Sequence, residues 1–154
     1  MSKEIILNNI TINTCTHHDI DGVLKLQHDW VKEDSTIGLS NADVDYIESK
    51  LGKYFLLAQV ESQIVGYAFA SIHKAMDMAV FKDGEVYIEI DDLYIKDEYR
   101  GQGIGKKLLE ELLSRAEKVG IKRSLIYSSV KDIDPVKNFY EKQGFQTWYI
   151  QMYK

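Results

Sequence analysis

Tyr99-Arg100-Gly101-Gln102-Gly103-Ile104-Gly105-Lys106 is the segment richest in chemical possibility. It falls between a strand-like run and an amphipathic one. Closely spaced glycines let a backbone turn tightly and approach a ligand. The start of the following helix adds unpaired N–H groups and a partial positive charge, which together suit an anion, most naturally phosphate. Spacing narrows the choice. A P-loop needs a glycine where Arg100 stands and a Ser or Thr where Lys107 stands. A dinucleotide fingerprint needs a glycine at Lys106 or Leu108. Neither fits.

Upstream, carboxylates crowd one strand-like run: Glu85, Glu89, Asp91 and Asp92. Alternate residues of a strand share a face, so Glu89 and Asp91 lie together. Asp92 points the other way unless a bulge re-aims it. Paired carboxylates are the residue type that general acid–base chemistry uses.

The elements that hold these groups follow from periodicity. Ile10–Cys15 is a short strand. Asp19 caps a helix that runs to about Glu33 on Ile20, Val23, Leu24, Leu26, Trp30 and Val31. Ser40-Asn41-Ala42-Asp43 resembles a capping box, and a second helix runs to about Lys50. Strands follow at Tyr54–Val60, Ile64–His73 and Glu85–Ile95, an antiparallel meander with a turn at Glu61-Ser62-Gln63 and a loop at Ala75–Gly84. Ile104–Val119 is a helix closed by Gly120. Ser124–Val130 is a strand, parallel to Glu85–Ile95 because a helix joins them. Asp134 caps and Pro135 opens a third helix ending at Gly144, and Gln146–Tyr153 is a final strand. The class is α/β with a mixed sheet.

At 154 residues the chain is read as one domain, 1–154. With 19 basic against 24 acidic residues the net charge is −5, which argues against a nucleic-acid partner. Cys15 is the one cysteine, so neither an internal disulfide nor a cysteine-built zinc site is available. The four histidines, His17, His18, His28 and His73, show no metal-ligand spacing, and no metal is expected. No apolar run approaches membrane-spanning length, Met1–Asn9 carries no leader pattern, and a cytoplasmic location is expected. One proline, Pro135, and no Ser/Gly-rich stretch leave no linker, and there is no internal repeat. The stretch Asp19–Glu48 carries 8 acidic residues against 2 lysines, a rim that would attract a cation. Trp30 reads as core or as a floor to such a site.

Arg100, Gly103 and Gly105 spell Arg-x-x-Gly-x-Gly. With Asp92-Leu93-Tyr94-Ile95 before the loop and Phe139-Tyr140-Glu141-Lys142-Gln143-Gly144-Phe145 after it, the chain resembles the GNAT family of acyl-CoA N-acyltransferases. The likeness is closest over Glu85–Phe145 and extends by element order to nearly the whole chain. It implies a mixed, mostly antiparallel sheet with flanking helices and a splayed central parallel strand pair. It implies acetyl-CoA as co-substrate, held by Leu93, Tyr94 and Ile95 of the bulged strand and by Arg100, Gly101, Gln102, Gly103, Ile104, Gly105 and Lys106 of the loop. Tyr140, 35 residues after Gly105, occupies the place of the family's general-acid tyrosine. Glu89, eleven before Arg100, and Asp91, nine before it, occupy places where members carry a base.

Two departures stand out. Many relatives carry asparagine seven before the tyrosine to bond the pantetheine arm; here it is Ile133, with Ser128, Ser129 or Asp132 as substitutes. Relatives end in a two-strand hairpin, whereas Phe145–Lys154 has room for one strand, so part of the acceptor wall is missing or comes from another subunit.

The expected reaction moves an acetyl group to a primary amine of a small, cationic molecule. At pH 7 only about one in 2,500 lysine-like amines is neutral, so a carboxylate or a relayed water must take the proton. A phenol of ordinary pKa near 10 can give one to the leaving thiolate. No nucleophile with a partnering base is visible, so attack is direct. The alternatives are a protein lysine or N-terminal acetyltransferase and a non-catalytic acyl-CoA sensor. A homodimer is expected by analogy with the family.

Overall fold

The computed structural model describes residues 8–154. The expectation drawn from Met1–Asn9 falls mainly on residues 1–7, which lie outside the described residues. Among the described residues, five strands form one sheet in the order β1-β2-β3-β4-β5: Ile10–Thr14, Phe55–Val60, Gln63–Lys74, Val86–Ile95 and Arg123–Ile126. The first three pairings are antiparallel and β4 pairs β5 in parallel. The helices are α1 (Ile20–Lys32), α2 (Val44–Glu48), α3 (Ile104–Glu117) and α4 (Ile133–Lys142). Among the described residues no helix is long and apolar enough to cross a membrane.

Alternation along β2 builds the two faces of the core. Leu56, Ala58 and Val60 join Ile88, Ile90 and Ile95 under Ile104, Leu108, Leu109 and Leu112 of α3. Phe55 and Leu57 join Tyr67, Phe69 and Tyr94 under Ile20, Val23 and Leu26 of α1 and Ile47 of α2. A leucine fully buried in such a stripe contributes about 1.5–3 kcal/mol, so these faces fix both helices on the sheet. The β2–β3 turn is Glu61-Ser62, with φ of 49° and 67°. Both residues lie in the left-handed region, as a two-residue hairpin that follows the sheet twist requires.

Several boundaries differ from expectation for physical reasons. Asp19 holds the cap position of α1 as expected, but its carboxylate makes no capping bond there; it accepts from the Thr16 backbone N–H at 2.9 Å and closes a turn at His17–Asp19. Asp43, not Ser40, caps α2 by accepting from Tyr46 N–H at 2.8 Å, and α2 ends at Glu48. The last helix starts at Ile133 with Asp132 at its cap position, placing Pro135 third rather than first. The parallel strand stops at Ile126; Val130 leaves it to bridge Thr36 from the α1–α2 connection. The expected strand Gln146–Tyr153 does not form. Its alternating pattern is present, but no sheet edge pairs with it, and Trp148, Tyr149, Ile150, Met152 and Tyr153 stand exposed.

Candidate active site

The site begins at a break in the sheet. Against β3, Phe69 pairs with Asp92 and Ala70 with Ile90, so Asp91 is an extra residue, a β-bulge. Against β5, pairing runs from Tyr87–Arg123 to Ile90–Ile126 and goes no further. From Asp91 to Ile95 the β5-facing edge of β4 therefore has no ladder partner, and the parallel pair is splayed as expected.

The bulge resets which face each side chain takes. Ile88 and Ile90 lie in the α3-side core, and so do Leu93 and Ile95 after the shift. Tyr94 lies in the opposite cluster. Asp92, whose parity without a bulge would put it under α3, instead accepts from the Tyr67 hydroxyl at 3.2 Å on the α1 face. Sequence reasoning left that residue's direction open; the bulge decides it. Glu89, Asp91 and Asp92 thus border one another.

Their environments differ. Glu89 is fully engaged: Tyr127 donates to Oε1 at 2.5 Å, and His73 Nε2 lies 3.3 Å from Oε2. Asp91 sits above the ordinary carboxylate range, mainly through burial, with a Ser71 hydrogen bond pulling it down and Glu89 pushing it up. Asp92 is pushed up to about 6, first by burial, while its Tyr67 hydrogen bond and Lys50 oppose the shift and Asp91 adds to it. His73, Ser71 and Tyr127 were not foreseen. They meet Glu89 through the β3–β4 and β4–β5 registers, and no spacing in the sequence announces those registers.

At the other end of the splayed strand lies the glycine loop. Gly101 and Gly103 have φ of 69° and 82°, which glycine adopts freely and other residues rarely do. Gly103 is the cap residue of α3 and supplies no side-chain cap, so no capping side chain closes the first turn of α3. Gly105 has helical backbone, and a Cβ there would meet Leu93, Phe139 and Ile95 only at 3.6–3.8 Å. Neither conformation nor packing demands glycine at 105, which leaves room for an outside group. Gln102 Oε1 is buried without a partner. These features fit a pyrophosphate at the loop and an amide-bearing arm along β4.

Arg100 is placed differently from a phosphate ligand. Its Nε donates to the Ile95 carbonyl at 2.8 Å, Nη1 to Asp97 at 3.2 Å and Nη2 to both Glu33 oxygens at 2.8 Å. Lys106 lies 3.6 Å from Glu110, one turn along the helix. Tyr140 packs against the α3-side core between Phe139 and Phe145, with ring centroids at 4.9 and 5.5 Å. Burial alone pushes its phenol up to about 12. Its hydroxyl makes no hydrogen bond among the described residues.

Other expectations sort out around this frame. Ser129 is taken, its hydroxyl donating to the Ile37 carbonyl at 3.1 Å, and Asp132 makes no cap bond. Ser128 accepts only a long contact, at 3.5 Å, from Val130 N–H. Trp30 stacks on Tyr94 at 5.3 Å and donates to Thr36 at 3.1 Å. Burial, followed by the charge of Asp19, pushes the Cys15 thiol up to about 12, so it holds no thiolate at neutral pH. Of the acidic rim, Asp19, Asp43 and Glu33 are occupied with internal bonds.

The family model for the Acetyltransferase (GNAT) family matches residues 23–145. The chain belongs to the GNAT acetyltransferase family. Solved structures agree on the fold. An aminoglycoside acetyltransferase from an uncultured soil metagenomic sample, in complex with sisomicin, superposes with a TM-score of 0.70 at 20% identity, covering 97% of each chain. A predicted acetyltransferase from Clostridium acetobutylicum, with acetyl-CoA, gives 0.71 at 19% identity over 94% of this chain and 96% of that one. Glucosamine-6-phosphate N-acetyltransferase from Arabidopsis thaliana gives 0.69 at 21% identity, over 94% and 97%. No curated protein matches the chain by sequence. This GNAT chain is an acyl-CoA N-acyltransferase, and its glycine loop lies beside the helix that carries Tyr140, with Gly105 near Phe139.

Proposed function

We propose that the chain transfers an acetyl group from acetyl-CoA directly to a primary amine of a small cationic molecule. The observation that carries this reading is the splayed strand itself: one end meets an uncapped helix start, and its bulge gathers Glu89, Asp91 and Asp92 on the face lined by α1. Neighbours crystallised with acetyl-CoA and with sisomicin support the co-substrate and the acceptor class.

When bound, acetyl-CoA supplies the activated acyl group. The first-turn amides of Ile104, Gly105 and Lys106, with Gly101, Gln102 and Gly103, hold its pyrophosphate; the free backbone edge at Leu93, Tyr94 and Ile95 holds its arm, with Ser128 in place of the family's asparagine. The Asp91–Asp92 pair takes the amine proton. Glu89 keeps Tyr127 and His73 beside them and raises Asp91 electrostatically. Tyr140 delivers a proton to the leaving thiolate; burial pushes its phenol up to about 12, so it holds that proton at neutral pH. Cys15, buried and protonated, takes no part, and the amine attacks without an acyl-enzyme. The protein works in the cytoplasm, as a homodimer whose contact includes the exposed apolar run Trp148–Tyr153.

The test is thiol release from acetyl-CoA with and without a panel of polyamines, aminoglycosides and lysine peptides. Release stimulated by a small polycation supports the reading; stimulation by peptides alone assigns a protein acetyltransferase. Tight acetyl-CoA binding without release under any amine leaves a sensor. Gly103→Val and Gly105→Val should each weaken acetyl-CoA at least tenfold in calorimetric titration, about 1.4 kcal/mol, since a branched side chain blocks backbone approach. Unchanged affinity in both folded variants removes the loop from the cofactor site.

A further inference from the structure

Glycines give the loop its shape but not its rigidity, because each loses more conformational freedom on ordering than any other residue. Something outside the loop must hold it. Arg100, the residue just before Gly101, is the fastening point. Two of its partners, the Ile95 carbonyl and Asp97, belong to the same strand end and connection and move with them. The third, Glu33, lies 67 residues away at the C-terminal end of α1. Its Oε1 also accepts from the Tyr94 hydroxyl at 2.6 Å. The Arg100 guanidinium lies 5.3 Å from the Tyr94 ring centroid, and Trp30 of α1 stacks on that ring.

We infer that Glu33 is a positioning residue for acetyl-CoA: acting through Arg100 and Tyr94, it sets where the glycine loop stands relative to the splayed strand. This rests on the proposed cofactor site. One carboxylate joins three elements here: the end of α1, strand β4 and the loop before α3. The tie does little for stability, because partly exposed ion pairs contribute about 0–1 kcal/mol net. Its geometry is its use: a guanidinium held at Nε, Nη1 and Nη2 cannot swing, so the backbone that carries it cannot either. Arg100 then serves the anion site without touching the anion.

The experiment is calorimetric titration of acetyl-CoA into wild type, Glu33→Gln, Arg100→Gln and the double variant, with thermal unfolding of each. Gly105→Val serves as the control for the cofactor site. Glu33→Gln should weaken acetyl-CoA about tenfold, within the range of coupled hydrogen-bond networks, while melting stays within a few degrees. Arg100→Gln should do the same, and the double variant should be no worse than either single one. With an amine that supports turnover, KM for acetyl-CoA should rise while kcat stays within about twofold. Unchanged affinity in Glu33→Gln, with Gly105→Val impaired, overturns the inference and leaves the cofactor site standing. Tighter binding also overturns it, because Arg100, set free, would then be a direct ligand. Unchanged affinity in Gly105→Val as well points to failure of the cofactor reading itself. Should Glu33→Gln not fold, Tyr94→Phe removes one of the two links and should weaken acetyl-CoA by a smaller factor; no change there overturns the inference.

Discussion

Tyr140→Phe should lower kcat about 100-fold or more and leave acetyl-CoA affinity within about twofold. The substitution removes one hydroxyl and keeps the ring that packs between Phe139 and Phe145. Because that hydroxyl has no hydrogen bond among the described residues, its loss leaves no buried partner stranded. Stability should therefore hold. General-acid help is typically worth 10²–10⁴-fold, and it grows as charge develops on the departing sulfur, so the loss belongs in kcat. The pH profile sharpens the test. An ordinary phenol would switch off near pH 10, but burial pushes this one up to about 12. Wild type should show no alkaline limb from Tyr140 below about pH 11. Steady-state kinetics with saturating amine, with thermal unfolding alongside, decides the matter. A folded variant that keeps more than half its activity makes Tyr140 a packing residue, and water the acid.

Local signals carried the glycine loop, its helix and the strand before it, because each is written in consecutive residues. Gly101 and Gly103 require positive φ, and the stripe Ile104, Leu108, Leu112 and Ala116 has helical spacing and is buried as one face. The parallel pairing of β4 and β5 followed from the helix between them. What stayed hidden was non-local. Which way Asp92 points depends on one extra residue in β4 relative to β3, a property of the pairing and not of either strand. Glu33 reads in sequence as one more acid on a charged helix, and only the fold brings it to Arg100. The tail shows the converse. Residues 146–153 alternate as a strand should, yet a strand also needs an edge, and β5 offers four residues before it turns away to Thr36.

Asp92→Asn should lower kcat/KM about 100-fold at neutral pH, the usual loss when a general base is removed. Wild type should show an acidic limb at about pH 6, where the Asp92 carboxyl titrates, and the variant should lose it. Asn keeps an oxygen to accept from Tyr67, so the local hydrogen bond survives. Stability should move the opposite way. In the unfolded chain the carboxyl titrates near 3.9. In the folded chain burial raises that to about 6, so between these values the folded protein binds more protons. Stability therefore falls as pH rises through this window, and above about pH 6 the whole cost of burying the charge is present. A shift of this size corresponds to about 3 kcal/mol, of which a small part is already present at pH 4. The variant escapes that cost. Its stability relative to wild type should thus be more favourable at pH 8 than at pH 4 by on the order of 2 kcal/mol, or several degrees of melting temperature. Comparing the two pH values isolates the charge from any fixed cost of the new amide. Paired melting curves at pH 4 and pH 8, with kinetics between pH 5 and 9, test both halves. If the pH 8 advantage is missing, the carboxylate is better solvated than its burial implies. If activity survives with the acidic limb intact, the base is Asp91, whose own substitution should then remove it.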